Sequence, residues 1–86
     1  MNKEKQNLLI GDRIKYLANE NNYSINQLAK ASKIRQSTIS GILNEGKIPT
    51  VSTLLSICEA LNITLSEFFD FPPYNKKEAL LQASDR

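Results

Sequence analysis

The amino-acid sequence predicts an all-helical domain with five helices. Apolar residues recur at helical spacing in five segments, and the polar segments between them have the length of helix-to-helix connections in small bundles. No segment alternates apolar and polar residues for long enough to predict a strand. Because 86 residues can form one modest hydrophobic core, we assign residues 1–71 to a single domain and residues 72–86 to a tail or a short extra helix.

The first two helices are predicted over residues 7–21 and 24–32, each with one apolar face. Ser24 is a good N-cap for the second helix, and Gln27, three residues later, completes a capping box. The residues predicted to face the core from these two helices are Ile10, Ile14, Leu17, Ala18, Leu28 and Ala29.

Three further helices are predicted over residues 36–43, over residues 50–61 and from residue 64 to the Pro72-Pro73 pair, which blocks continuation. The last of them begins with a second capping box, formed by Thr64 and Glu67. The residues predicted to face the core from these helices are Ile39, Ile42, Leu43, Val51, Leu54, Leu55, Cys58, Leu61, Leu65, Phe68 and Phe69.

The composition argues against an enzyme and against a bound metal or other cofactor. The chain contains no His and its only cysteine is Cys58, so one copy cannot assemble a Ser/His/Asp triad or a usual zinc site. Cys58 belongs to an apolar stripe and is interpreted as a small buried hydrophobe rather than a redox sensor. The polar N-terminus and the lack of a long apolar run predict a cytoplasmic protein that does not enter a membrane. We expect no small-molecule ligand.

Basic side chains concentrate in the middle of the chain, although the net charge is only +2. Residues 24–50 carry four basic side chains and one acid, whereas residues 51–86 carry three basic and five acidic ones. The middle segment also contains two short predicted helices joined by a tight turn, the arrangement in which the second helix enters the major groove of DNA. The outer face of that second helix carries short polar residues and no acid, which favours an anionic partner over a merely solvated face.

The clearest motifs are SINQLA at residues 24–29, QSTIS at 36–40 and TLLSICEALNI at 53–63. Together they resemble the Xre-type helix-turn-helix regulators, the family that includes phage Cro and repressor proteins, over about residues 10–69. The resemblance implies a compact five-helix phage-repressor-like domain whose third helix reads double-stranded DNA. It also implies a transcriptional regulator that commonly acts as a homodimer on an inverted repeat, most often as a repressor.

On this basis the third helix and the turns that flank it are expected to contact DNA. Contacts to base edges are predicted for Gln36, Ser37, Thr38 and Ser40. Contacts to phosphates, which fix the register without reading sequence, are predicted for Asn26, Gln27, Lys33, Arg35, Asn44 and Lys47.

Four positions depart from the family pattern. Lys33 replaces a Gly in the turn, so a non-Gly residue is expected in the left-handed conformation, at a cost of about 1 kcal/mol. Arg35 replaces a small N-cap residue, which weakens capping but adds a basic group beside the DNA. Ile25 and Gly41 replace longer polar residues, and each is expected to remove one DNA contact.

The C-terminal aromatic and aliphatic residues suggest a contact with another protein chain. An apolar patch there is interpreted as a homodimer interface formed by Phe71, Tyr74, Leu80 and Leu81. A tail that folds back on its own domain is the structural alternative. The functional alternative is an antitoxin or other interaction module, in which residues 70–86 bind a partner protein while the helix-turn-helix regulates its own gene.

Overall fold

The computed structural model of the chain describes the backbone of residues 3–77 and the side chains of residues 5–77, and these residues form five α-helices without a strand. The predicted all-helical fold is therefore confirmed. The helices are α1 (Lys3–Glu20), α2 (Ile25–Ser32), α3 (Gln36–Glu45), α4 (Val51–Leu61) and α5 (Leu65–Phe68). Helix α1 packs on α3, α2 packs on both α3 and α4, and α4 packs on α5.

Side chains cap the starts of three helices and so fix where each begins. Both predicted capping boxes are present: the Ser24 Oγ accepts from the Gln27 backbone N–H at 3.1 Å while the Gln27 Oε1 accepts from the Ser24 N–H at 2.8 Å. Thr64 and Glu67 exchange the same two bonds at 3.0 and 2.8 Å. Each cap satisfies N–H groups that the first turn of a helix otherwise leaves unpaired.

The core lies where α1, α3, α4 and α5 meet α2. Ile14, Ile39, Ile57 and Phe68 are each 0% exposed, and their side chains come from four different helices. Helix α1 approaches α3 very closely at Gly11, where a Cβ atom would lie only 3.0 Å from the Ile42 carbonyl oxygen. The spacing of apolar residues did not reveal this contact, which requires a residue without a side chain.

Three predicted helix boundaries differ from the structure. Helix α1 begins at Lys3 instead of residue 7, and α3 extends to Glu45 instead of residue 43. Helix α5 ends at Phe68, well before the Pro72-Pro73 pair that was expected to stop it.

Arg13 binds the C-terminal end of α5. Its Nε donates to the Phe68 carbonyl oxygen at 2.8 Å and its Nη2 donates to the Glu67 carbonyl oxygen at 2.9 Å. The guanidinium thus pairs with the last two carbonyl groups of α5, of which that of Glu67 also accepts from the Asp70 N–H at 3.2 Å. It also lies 5.1 Å from the centre of the Phe71 ring and 5.5 Å from that of Tyr16, as expected for cation–π contacts.

Two residues of α4 that were predicted to face the core are exposed. Val51 is 67% and Leu55 49% exposed, and they lie one turn apart on the same side of the helix. The buried side of α4 is formed by Leu54, Ile57, Cys58 and Leu61. Because successive residues are rotated by about 100°, Leu55 points well away from Leu54 and from the core.

Among the described residues, no helix is both long enough and apolar enough to cross a lipid bilayer.

Candidate nucleic-acid interface

Helices α2 and α3 and the short turn between them form a rigid unit. Lys33, at the end of α2, has φ 59° and ψ 39°, which confirms the left-handed conformation predicted for it. The Ile34 N–H then donates to the Ala29 carbonyl at 3.0 Å, and the Ser32 hydroxyl donates to the Leu28 carbonyl at 2.6 Å. These bonds leave the turn few alternative conformations, so the direction in which α3 leaves it is fixed.

Helix α3 is anchored by the apolar residues on its inner side. Ile39, Ile42 and Leu43 are buried, whereas Gln36, Ser37 and Thr38 are exposed and Ser40 is half-buried. The four predicted base-contacting residues therefore lie in the N-terminal half of one helix, and three of them are exposed. No acidic residue occurs in α3 before Glu45, its last residue.

Two of the residues predicted to contact phosphates lie directly before the N-terminal end of α3. Lys33 and Arg35 are exposed in the turn, and α3 begins at Gln36 directly after them. The Arg35 side chain makes no capping hydrogen bond to α3, in line with the weak capping expected from the sequence. The positive charges of both side chains add to the positive end of the helix dipole, which favours an anion at this end.

Asn26 and Gln27 lie exposed in the first turn of α2. The Gln27 side chain is held by its Oε1 in the capping box. A phosphate requires a donor, which in Gln27 is the amide Nε2, so the cap orients this side chain without using the group that would contact DNA.

Asn44 and Lys47 lie at the other end of α3, and both are exposed. The Lys47 Nζ is 3.4 Å from the Glu45 Oε1 in an exposed ion pair. An ion pair between exposed side chains is weak, contributing roughly 0 to 1 kcal/mol, so a phosphate can compete with Glu45 for this lysine.

Gly41, in the middle of α3, is covered by a residue that follows the helix. It is buried, because the hydrocarbon chain of Lys47 covers it, and a Cβ atom there would lie 3.1 Å from the Lys47 Cδ. Gly41 thus has a packing contact beneath Lys47, and the expected loss of a base contact at this position stays a prediction.

The predicted dimer residues are only partly described. Phe71 and Tyr74 are half-buried, with ring centres 5.2 Å apart, and both rings contact Phe69. Burial raises the pKa of the Tyr74 phenol. Leu80 and Leu81 lie outside the described residues, as does most of the segment assigned to a tail. The sequence did not predict that Ile48, Val51 and Leu55 are exposed.

Cys58 is 2% exposed, and burial raises the pKa of its thiol. A buried thiol that stays protonated is a poor nucleophile. The structure therefore supports the interpretation of Cys58 as part of the core.

The family assignment follows from these elements. Residues 14–68 match the helix-turn-helix family model, a region that contains α2, the turn, α3 and α4 in full. Since this match covers more than half of the chain, the protein belongs to the Xre-type helix-turn-helix family, whose members include phage Cro and repressor proteins. It is thus a DNA-binding domain of the regulator class, a class that is generally not enzymatic.

A solved structure supports the same assignment. The crystal structure of the prophage Lp1 protein 11 superposes with a TM-score of 0.75 at 32% sequence identity, covering 81% of this chain and 93% of that one. No curated protein matches the chain.

Proposed function

We propose that the protein is a sequence-specific regulator of transcription that binds double-stranded DNA by placing α3 in the major groove. The observation that carries this proposal is the outer face of α3, which is exposed, small, polar and free of acids until Glu45. Phosphates repel carboxylates, so a surface that faces a polyanion gains from having few acids, and an ordinary solvated face has no such reason to lack them.

The proposed contacts are of two kinds: some read base edges, and others bind phosphates and so position the protein on the DNA. A helix with its side chains is about 10–12 Å across, which fits a major groove about 12 Å wide. Gln36 has an amide that can pair with adenine through two hydrogen bonds, Ser37 and Ser40 have hydroxyls that can donate or accept, and Thr38 adds a methyl for thymine. The phosphate contacts are assigned to Asn26, Gln27, Lys33, Arg35, Asn44 and Lys47.

We further propose that the working unit is a homodimer in the cytoplasm that represses by occupying an operator. A twofold dimer would present two copies of α3 to half-sites about one helical turn apart. The half-buried rings of Phe71 and Tyr74 are the described part of the proposed interface. Family membership supports both the dimer and the role as a repressor, since phage repressors are members.

Selection of bound duplexes from a random pool, followed by a salt titration of the selected sequence, tests the proposal. We expect an inverted repeat and an affinity that falls with salt at a log-log slope of about −0.9 per phosphate neutralised. A flat salt response, or no enrichment of any sequence, would contradict DNA binding.

A matched pair of variants locates the interface. Gln36→Glu introduces one negative charge on α3, and Ser66→Asp introduces one on the exposed face of α5. We expect Gln36→Glu to abolish detectable binding and Ser66→Asp to leave it nearly unchanged, since close carboxylate–phosphate repulsion acts only at the interface. Equal losses in both variants would indicate a general effect of net charge and would exclude α3 as the reading helix.

A further inference from the structure

We propose that Gly41 is a positioning residue, which holds the hydrocarbon chain of Lys47 in the conformation that contacts a DNA phosphate. This inference rests on the proposed function, because it assigns Lys47 to a phosphate. It concerns a residue that itself has no side chain to offer DNA. It also gives a reason for a glycine within the reading helix, where glycine otherwise weakens the helix.

Lys47 contacts Gly41 with both its backbone and its side chain. The Lys47 N–H donates to the Gly41 carbonyl oxygen at 3.2 Å, and the Gly46 N–H donates to the same oxygen. A Cβ atom on Gly41 would lie 3.1 Å from the Lys47 Cδ, 3.8 Å from its Cε and 3.9 Å from its Cγ. The methylene groups of Lys47 therefore run directly over the Cα of Gly41.

The chain reverses at Gly46 to make this contact. Gly46 ends α3 with φ 68°, a left-handed conformation that glycine adopts without strain. The reversal brings residue 47 back along the helix it has just left. The position of Lys47 is thus determined by two glycines, one that turns the chain and one that leaves room for the side chain.

The charged end of Lys47 remains available for a ligand. Its Nζ pairs with the Glu45 Oε1 at 3.4 Å, but the Lys47 and Glu45 side chains are 70% and 63% exposed. Water screens such a pair, so Glu45 holds the ammonium only loosely and a phosphate oxygen can replace it.

Restriction of the methylene groups lowers the entropy cost of binding. A free lysine side chain loses much of its rotamer freedom when its ammonium is fixed on a phosphate. When the chain already lies over Gly41, part of this freedom is absent before DNA arrives, so less is lost on binding. A methyl group at position 41 would meet the Lys47 Cδ at 3.1 Å and push the side chain off this path.

The experiment compares wild type with Gly41→Ala, Lys47→Met and the double variant on the selected operator and on a random duplex. Methionine keeps an unbranched side chain and removes the charge. We expect Lys47→Met to weaken binding about 3- to 10-fold on both duplexes and to reduce the salt slope by about 0.9. We expect Gly41→Ala, which keeps the charge of Lys47, to cause a smaller uniform loss with little change in the salt slope and no further loss in the Lys47→Met background.

Thermal unfolding provides the structural control. Alanine favours a helix more than glycine does and its neighbour is the flexible end of a side chain, so Gly41→Ala should have an unchanged or higher Tm. The inference is overturned if Gly41→Ala binds like wild type, or if it weakens binding as much in the Lys47→Met background as in wild type. If instead wild type itself shows a flat salt response, the proposed function fails along with this inference.

Should Gly41→Ala fail to fold, Gly41→Ala/Lys47→Ala restores the space that the methyl group needs and is compared with Lys47→Ala. A loss of affinity between these two would also overturn the inference, because Gly41 would then act independently of Lys47. Recovery of folding together with equal affinity supports it.

Discussion

Helices α3 and α4 are similar in length and follow each other in the chain, yet they present different surfaces. Helix α3 buries its three large apolar side chains, Ile39, Ile42 and Leu43. Helix α4 leaves Val51 and Leu55 exposed, and Ile48 in the preceding connection is 53% exposed. Helix α3 therefore offers polar groups to a hydrated anion, whereas α4 offers aliphatic surface that loses unfavourable hydration when another apolar surface covers it.

The charges follow the same division. Before α3, the turn carries Lys33 and Arg35, and the helix has no acid until its last residue. Helices α4 and α5 carry Glu59 and Glu67 and no basic residue. The described surfaces of α3 with its preceding turn and of α4 with α5 therefore differ both in polarity and in the sign of their charge.

The largest expected effect concerns self-association. Two lysine substitutions compare the candidate surfaces: Tyr74→Lys at the proposed dimer interface and Leu55→Lys on α4. We expect Tyr74→Lys to convert the dimer to a monomer, since a buried unpaired charge opposes association, and Leu55→Lys to leave the dimer intact. Sedimentation equilibrium measures the mass, and circular dichroism checks that each variant is folded. If Leu55→Lys is a monomer and Tyr74→Lys is still a dimer, the interface lies on α4 and not at Tyr74.

The next effect concerns sequence reading by α3. Gln36→Ala should cost about 1–3 kcal/mol on the operator and relax the preference at one base pair, because the amide that reads the base is removed. Lys47→Met serves as the control, since loss of a phosphate contact weakens all sequences alike. Binding to the four base variants at each operator position measures both. A uniform loss with Gln36→Ala would assign Gln36 to the backbone of the DNA.

The smallest effect concerns the turn before α3. Lys33→Gly should raise the free energy of unfolding by up to about 1 kcal/mol, because glycine relieves the left-handed strain at φ 59°. The same change should weaken DNA binding by removing a positive charge. Lys30→Gly within α2 is the matched control and should destabilise by about 1 kcal/mol. Urea unfolding measures the free energy of unfolding of Lys33→Gly and of Lys30→Gly. Destabilisation of both variants would contradict strain at Lys33.

The sequence predicts features that depend on neighbours along the chain. The boxes at Ser24 and Thr64 were identified because each involves only a residue three positions away. The left-handed Lys33 was identified through the family resemblance, because the family usually has Gly at this position of the turn. The exposed residues of α3 were also identified, because a short helix with one apolar side leaves its other side to solvent.

Features that depend on distant neighbours were missed. The bond from Arg13 to Phe68 joins residues 55 positions apart, so no local pattern indicates that Arg13 contacts the end of α5. The apolar stripe on α4 is wider than the area that α2 and α5 cover. The spacing of apolar residues could not show that Val51 and Leu55 lie outside this covered area. The role of Gly41 depends on the path of the chain after α3. The positions predicted to contact DNA or a second copy remain predictions.

The close approach at Gly11 has a consequence for redesigning the specificity of this domain. Since a single added methyl would lie 3.0 Å from the Ile42 carbonyl oxygen, a side chain at position 11 should push α1 and α3 apart and so shift the outer residues of α3. Gln36, Ser37 and Thr38 are exposed and take no part in this contact. Under the proposed function, the specificity of the domain should therefore change through these surface residues while Gly11 is retained.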